Sequence, residues 1–167
     1  MKIHILSKLQ EGPWGGGNQF QKAIKKSFHS KGNYTESLTE ADIVLVNSHN
    51  WGDRLWELFH WRRSQRHRRI LHRVDGPISL VRGKPQQIYI DQSIFAFNKY
   101  FADATIFQSN WSRERCWEIG MANEKPYLTV LNAPDSSIFF PPKLQDQDSK
   151  ICLIANSWSN NFRKGFE

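Results

Sequence analysis

Cysteine is scarce in this chain: Cys116 and Cys152 are the only two in 167 residues. Two sulfurs so placed give neither a disulfide framework nor metal-ligand spacing, so a reduced, cytoplasmic setting is expected, with no bound metal. Long apolar runs are missing as well. No stretch approaches the ~20 residues of a membrane span, and the run in MKIHILSKL is too short for a secretory leader. The phosphate-cradling G-x-x-x-x-G-K-[ST], the metal-binding H-E-x-x-H and the hydrolase G-x-S-x-G are all absent. Internal repeats and low-complexity tracts are lacking too.

What is present is a core and a charge. Hydrophobic residues make up 39% and aromatic residues 13% of the chain, and the formal net charge is +7. The first two argue against disorder. The third favours anionic partners: nucleic acid, phosphorylated substrates or a peripheral contact with an anionic membrane. Much of the positive charge lies in RRSQRHRR, residues 62–69. No aromatic residue interrupts it and no nucleic-acid motif surrounds it, so nucleic acid is the weaker expectation. A solvated helix end, where cations suit the C-terminal dipole, is the stronger one.

Apolar runs alternate with amphipathic segments. Strands are expected at 2–6, 41–47, 69–74, 104–109 and 127–131, with a short one at 34–38. Helices are expected at 18–30, 51–63, 91–102 and 111–119. In the first helix Phe20, Ile24 and Phe28 share a stripe and Gly32 is the stop. Buried, non-alternating strands separated by helices predict an α/β fold: a doubly wound, mostly parallel, Rossmann-like sheet covered on both faces. Residues 1–140 read as one such domain. Residues 141–150, PPKLQDQDSK, read as a linker, and ICLIANS at 151–157 opens a second domain.

In open α/β sheets ligands gather beyond the carboxyl ends of the strands. Those ends carry the unusual text here. GPWGGG at 12–17 holds four glycines in six positions, between the first strand and the first helix. It suits either a tight turn or close approach of an anion to a helix N-terminus. It is half a dinucleotide fingerprint, with Gly15 and Gly17 in place but Phe20 where a third glycine belongs; Glu36 would be the ribose acid on that reading. NSHN (47–50), RVDGP (73–77), SNWS (109–112) and NAPD (132–135) end the other strands. His72 and Asp75 are two candidates for a catalytic group. His72 also fits a satisfied core histidine, and Asp75 before Gly-Pro also fits a turn. RKGFE at 163–167 puts a cation in another strand-to-helix turn.

Taken in order, these pieces resemble a retaining nucleotide-sugar glycosyltransferase of the GT-B architecture, family 4. The marks are GPWGGGNQF, ADIVLVNS, HRVDGP, ATIFQSNWSRERCWEIG and NAPDSSIFFP, then ANSWSNNFRKGFE as the opening of a second domain. The resemblance implies a first domain that binds the acceptor and a second that binds the nucleotide-sugar donor. It implies substrate contacts from Gly15, Gly16, Gly17, Asn18, Arg73, Ser109 and Asn110, and a catalytic role for His72 or Asp75. Arg163 and Lys164 would neutralise the donor diphosphate. No separate cofactor is implied, and the acceptor would be a glycan, a lipid or a small molecule. A chain lacking the rest of the donor domain is expected to be inactive alone. The alternatives are a non-catalytic domain that binds an anionic glycan or partner, and a dinucleotide-binding domain. On the leading reading the loop at 12–18 and the corner at 72–77 face one another in one pocket.

Overall fold

A computed structural model describes residues 1–11 and 15–132, which belong to the first of the chain's two compact units, Met1–Ala133. The linker, the 151–157 strand, Arg163 and Lys164 lie outside the described residues.

Five parallel strands form one sheet in the order β1-β2-β3-β4-β5. They are β1 (Ile3–Ile5), β2 (Ile43–Asn47), β3 (Arg69–Val74), β4 (Ala104–Phe107) and β5 (Tyr127–Thr129). The helices are α1 (Gly16–Ser30), α2 (Leu55–Ser64), α3 (Ile78–Arg82), α4 (Ile88–Phe101) and α5 (Asn110–Glu118). The expected α/β architecture is therefore present, with every long strand close to its expected place.

The strand expected at 34–38 is reduced to one parallel bridge between Tyr34 and Ile3. Ile3 donates to the Asn33 carbonyl (2.7 Å) and accepts from the Thr35 amide (3.0 Å). On the opposite edge of β1, the Lys2 carbonyl accepts from the Asp42 and Ile43 amides (2.9 and 3.1 Å). Tyr34 thus lies on one side of β1 and β2 on the other. The chain leaves β1 in one direction through α1, then returns to build β2 to β5 in the other direction. That reversal makes the sheet doubly wound and opens a crevice at the carboxyl ends of β1 and β2. Beyond Tyr34 the backbone leaves the extended state, because the Thr35 hydroxyl accepts from Ser37 N (3.1 Å) and a 3-10 turn follows at Leu38–Glu40.

Strand alternation divides the side chains between the two faces. Val44, Val46, Ile70 and Val74 meet Leu58 and Trp61 of α2 and Ile94 and Phe97 of α4 in two adjoining core clusters. Phe107 and Cys116 carry the second cluster to α5. Burial raises the Cys116 thiol to about 12, so it remains protonated and inert. The other face takes α1, whose Phe20 lies against the Arg73 side chain. β5 departs from the buried pattern expected of it: Tyr127 and Leu128 are 48% and 63% exposed. It pairs with β4 along one side and is the last strand of the sheet.

The basic run at 62–69 is more structural than a solvated helix end. Arg68 is 7% exposed and donates to the carbonyls of Trp61 (2.9 Å) and Thr39 (2.6 Å), closing the C-terminus of α2. Arg62 pairs with Asp103 at 2.8 Å.

Helix α3 had no sequence signal, because its cap is remote. Asp91, fully buried in the first turn of α4, accepts from Ile78 N (2.6 Å), Ser79 N (3.1 Å) and Ser79 Oγ (2.5 Å). Asp91→Ala should lower the unfolding free energy by about 2–4 kcal/mol, since three donors, two of them buried, lose their acceptor. Glu124→Ala, at an exposed position, should change it by less than about 0.5 kcal/mol. Urea unfolding of both variants measures the contrast.

Candidate functional site

The crevice is organised by an arginine. Arg73 is the penultimate residue of β3 and is fully buried on the α1 face of the sheet. Its guanidinium donates to Asn47 Oδ1 (2.7 Å), Gln108 Oε1 (3.3 Å), Asn132 Oδ1 (3.3 Å) and the Asp75 carboxylate. The Phe20 ring covers the guanidinium plane, 4.1 Å from Cζ to the ring centre. Burial lowers the Arg73 pKa to about 10, which still leaves it charged at neutral pH. Its Nε has no hydrogen-bond partner.

Asp75 is the group this scaffold presents. Its Oδ1 meets Arg73, and its Oδ2 accepts from Asn47 Nδ2 (3.1 Å) and Ser48 Oγ (3.2 Å). Its carbonyl accepts from Gln108 Nε2. Even so, its side chain remains 33% exposed. A carboxylate fixed by three side chains and still open to solvent can orient and accept a ligand hydroxyl.

The glycines now have a physical reason. Gly15 caps α1, and its carbonyl accepts from the amides of Asn18 and Gln19 (3.1 and 3.2 Å). A Cβ on Gly17 would stand 3.2 Å from Asn47 Nδ2 and 3.3 Å from Asp75 Oδ2. The close approach at Gly17 is therefore made by the protein's own carboxylate, which sits where the α1 dipole favours negative charge. Gly16 is different: a Cβ there would meet nothing nearer than Asn132 Nδ2 at 3.9 Å. Gly17 and the Asp75 corner do face one another at one end of the sheet; residues 12–14 of the loop lie outside the described residues.

Other expected site residues lie elsewhere or do other work. His72 is a correction. It alternates with Arg73 and so points to the opposite face of the sheet, fully buried beside Trp51 and Phe97. Its Nε2 donates to the Ser48 carbonyl (2.8 Å) and its Nδ1 accepts from Asn98 Nδ2 (3.2 Å). Burial lowers its pKa to about 4, so it is a neutral core histidine and cannot reach a ligand. Arg73 is a second correction: enclosed as it is, it positions Asp75 instead of touching substrate. Asn18 clamps the incoming loop through Gln10, accepting from its amide (2.9 Å) and donating to its carbonyl (3.0 Å). Ser109 is the N-cap of α5, in a reciprocal capping box with Ser112. Asn110, exposed in the first turn of α5, accepts from the Thr129 hydroxyl at 3.4 Å. Glu36 is held by Lys25 (2.5 Å) and the Tyr34 hydroxyl (2.9 Å) on the far side of β1, away from Asp75.

Sequence reasoning marked NSHN and NAPD as strand ends but gave Asn47, Ser48 and Asn132 no role in the site, and it missed Gln108, which had the same signal as Asn47: a polar amide directly after an apolar strand run. The backbone of Ser48 was not legible. Ser48 is the non-glycine residue with positive φ (46°) among the described residues, a conformation that costs energy and needs support. Support comes from its amide to the Arg73 carbonyl (2.7 Å), its carbonyl from His72 and its hydroxyl to Asp75.

Among the described residues no three His, Cys, Asp or Glu side chains gather to hold a metal ion, and no helix is long and apolar enough to cross a membrane. Compared with known proteins, the chain matches no family model, no curated protein and no solved structure.

Two measurements follow. Gly17→Ala should destabilise by about 1–3 kcal/mol, since its Cβ crowds two fixed polar groups. Gly16→Ala should be neutral, or stabilising by up to about 1 kcal/mol. Thermal unfolding separates the two. The second concerns His72, whose native pKa lies below its unfolded value. Between the two values the unfolded chain binds the extra proton, so stability is full above pH 6.5 and falls as pH drops toward 4. His72 should account for about 2–3 kcal/mol of the loss between pH 7.5 and 4.5. Urea unfolding of His72→Asn should show a pH slope smaller by that amount.

Proposed function

We propose that this chain is the acceptor-side part of a retaining nucleotide-sugar glycosyltransferase of the GT-B architecture. The single observation behind this reading is the Asp75 carboxylate, fixed by Arg73, Asn47 and Ser48 at the crevice of a doubly wound sheet yet open to solvent. The order of motifs along the chain supports it independently.

On this reading Asp75 accepts a hydrogen bond from the acceptor hydroxyl. As the bond from the sugar's anomeric carbon to the donor diphosphate breaks, a new bond forms from that carbon to the acceptor oxygen. The hydroxyl proton passes to Asp75 late in the transfer. The N-terminal turn of α1, at Gly15 and Gly16, faces an anionic group of the donor favourably. Arg163 and Lys164 would stabilise the departing diphosphate; their part rests on the sequence resemblance. A soluble protein or one that touches an anionic membrane peripherally is compatible with this activity.

Titration of the labelled chain with a panel of neutral oligosaccharides, followed by amide chemical shifts, tests the reading. Shifts should concentrate at Gly16, Gly17, Asn47, Ser48 and Asp75. Asp75→Asn should weaken binding at least about tenfold, equivalent to about 1.4 kcal/mol. If no saccharide moves these amides, or if Asp75→Asn binds as well as the parent chain, the acceptor assignment falls.

A further inference from the structure

Helix α4 turns one face to the sheet and the other to solvent. Asp91, Ile94, Phe95, Phe97 and Asn98 are buried. The opposite stripe runs Tyr89, Gln92, Ser93, Ala96 and Tyr100, at helical spacing, and every one of these is exposed. The two tyrosines are 65% and 71% exposed and stand about 16 Å apart along the axis, at the two ends of the stripe. The solvent face of a surface helix ordinarily carries charged side chains; this stripe has none.

Helix α3 lies against the first turn of α4. Asp91 accepts from Ile78 N and Ser79 N, and the two helices pack together. Val81 of α3 is 52% exposed, and Ile88, which opens α4, is 39% exposed. Apolar and aromatic side chains gathered on one exposed face mark contact with another body.

The charge pattern identifies that body. From Gly76 to Ala102 the only acidic residue is Asp91, which is fully buried and occupied by α3. Three cations in the same span, Arg82, Lys84 and Lys99, are exposed. None of them joins an ion pair among the described residues; Lys99 lies over the Tyr100 ring, 5.6 Å from its centre. The face thus offers apolar and aromatic groups in an exclusively positive frame. An anionic membrane surface fits this pattern. Tyrosine rings settle at the headgroup level, aliphatic side chains dip below it, and lysine and arginine meet the lipid phosphates. A second copy seated on the same face would bring like charges together.

We propose that the face formed by α3 and α4 docks on anionic membranes, with Val81, Ile88, Tyr89 and Tyr100 entering the interface and Arg82, Lys84 and Lys99 holding its negative charge. The face shares no residue with the Asp75 cluster, and docking does not depend on what Asp75 does.

Co-sedimentation of the chain with vesicles tests this. Vesicles of phosphatidylcholine and phosphatidylglycerol in equal parts should bind the chain at least about tenfold more tightly than vesicles of phosphatidylcholine alone. Molar salt should remove most of that difference. Tyr89→Ser with Tyr100→Ser should weaken binding to the anionic vesicles at least about tenfold. Arg82→Gln with Lys84→Gln should do the same and leave the weak binding to phosphatidylcholine unchanged. All four positions are exposed, and an unaltered urea unfolding midpoint checks the fold of each variant. Arg63→Gln with Arg66→Gln, at exposed positions of the basic run, is the control and should leave binding unchanged.

Equal binding to the two kinds of vesicle would overturn the proposal. So would unchanged binding in the tyrosine variant or in the Arg82 and Lys84 variant, or loss of binding in the control. Sedimentation equilibrium without vesicles tests the competing occupant: a dimer that the tyrosine variant dissolves would assign the face to a second copy and overturn membrane docking.

Discussion

A guanidinium taken out of water needs oxygen atoms around it, and Arg73 is the largest fully buried side chain of the described residues. Its four acceptors come from four places along the chain: the end of β2, the turn after β3, the residue after β4, and Asn132 beyond β5. α1 supplies the fifth contact through Phe20. The carboxyl ends of the strands are thereby fastened to one charge. Losing an acceptor from a buried ion pair typically costs about 3–5 kcal/mol; the partial exposure of Asp75 places its own contribution below that range. The arrangement leaves one oxygen-rich edge, that of Asp75, directed to solvent.

The same constraint explains the glycines. A helix N-terminus and a carboxylate attract one another, but a side chain at Gly17 would hold them apart. Without Cβ, the first turn of α1 closes onto Asn47 and Asp75. Gly16, one residue earlier, is open. Adjacent glycines in one run thus serve different ends: Gly17 permits internal contact, whereas Gly16 keeps the helix end accessible.

β3 carries two successive polar side chains with opposite fates. Arg73 stays charged because oxygens and an aromatic face surround it. His72, packed beside Trp51 and Phe97 with only neutral partners, stays neutral. Ser48 joins the two faces, taking a hydrogen bond from His72 on one side and giving one to Asp75 on the other. Its left-handed backbone is held from both faces of the sheet, so the core histidine contributes to the shape of the corner without entering it.

The sequence by itself determined the strands and the long helices. Burial on both faces demands continuous apolar runs, and burial on one stripe demands a period near 3.6; neither needs a distant partner to be read. That is why 69–74 is legible to the residue and why the α/β class follows directly. Helix α3 was not legible, because its cap, Asp91, lies thirteen residues away from Ile78. Tyr34 read as a strand because its composition is right, yet the hydroxyl of Thr35 turns the backbone after one bridge. His72 and Asp75 were both visible as unusual residues at a strand end. Alternation alone puts 72 and 73 on opposite faces, but it cannot say which face closes over and which stays open. Tertiary structure decided that: α2 and α4 seal the face of His72, while α1 meets the other at its glycine end and leaves Asp75 in reach of solvent.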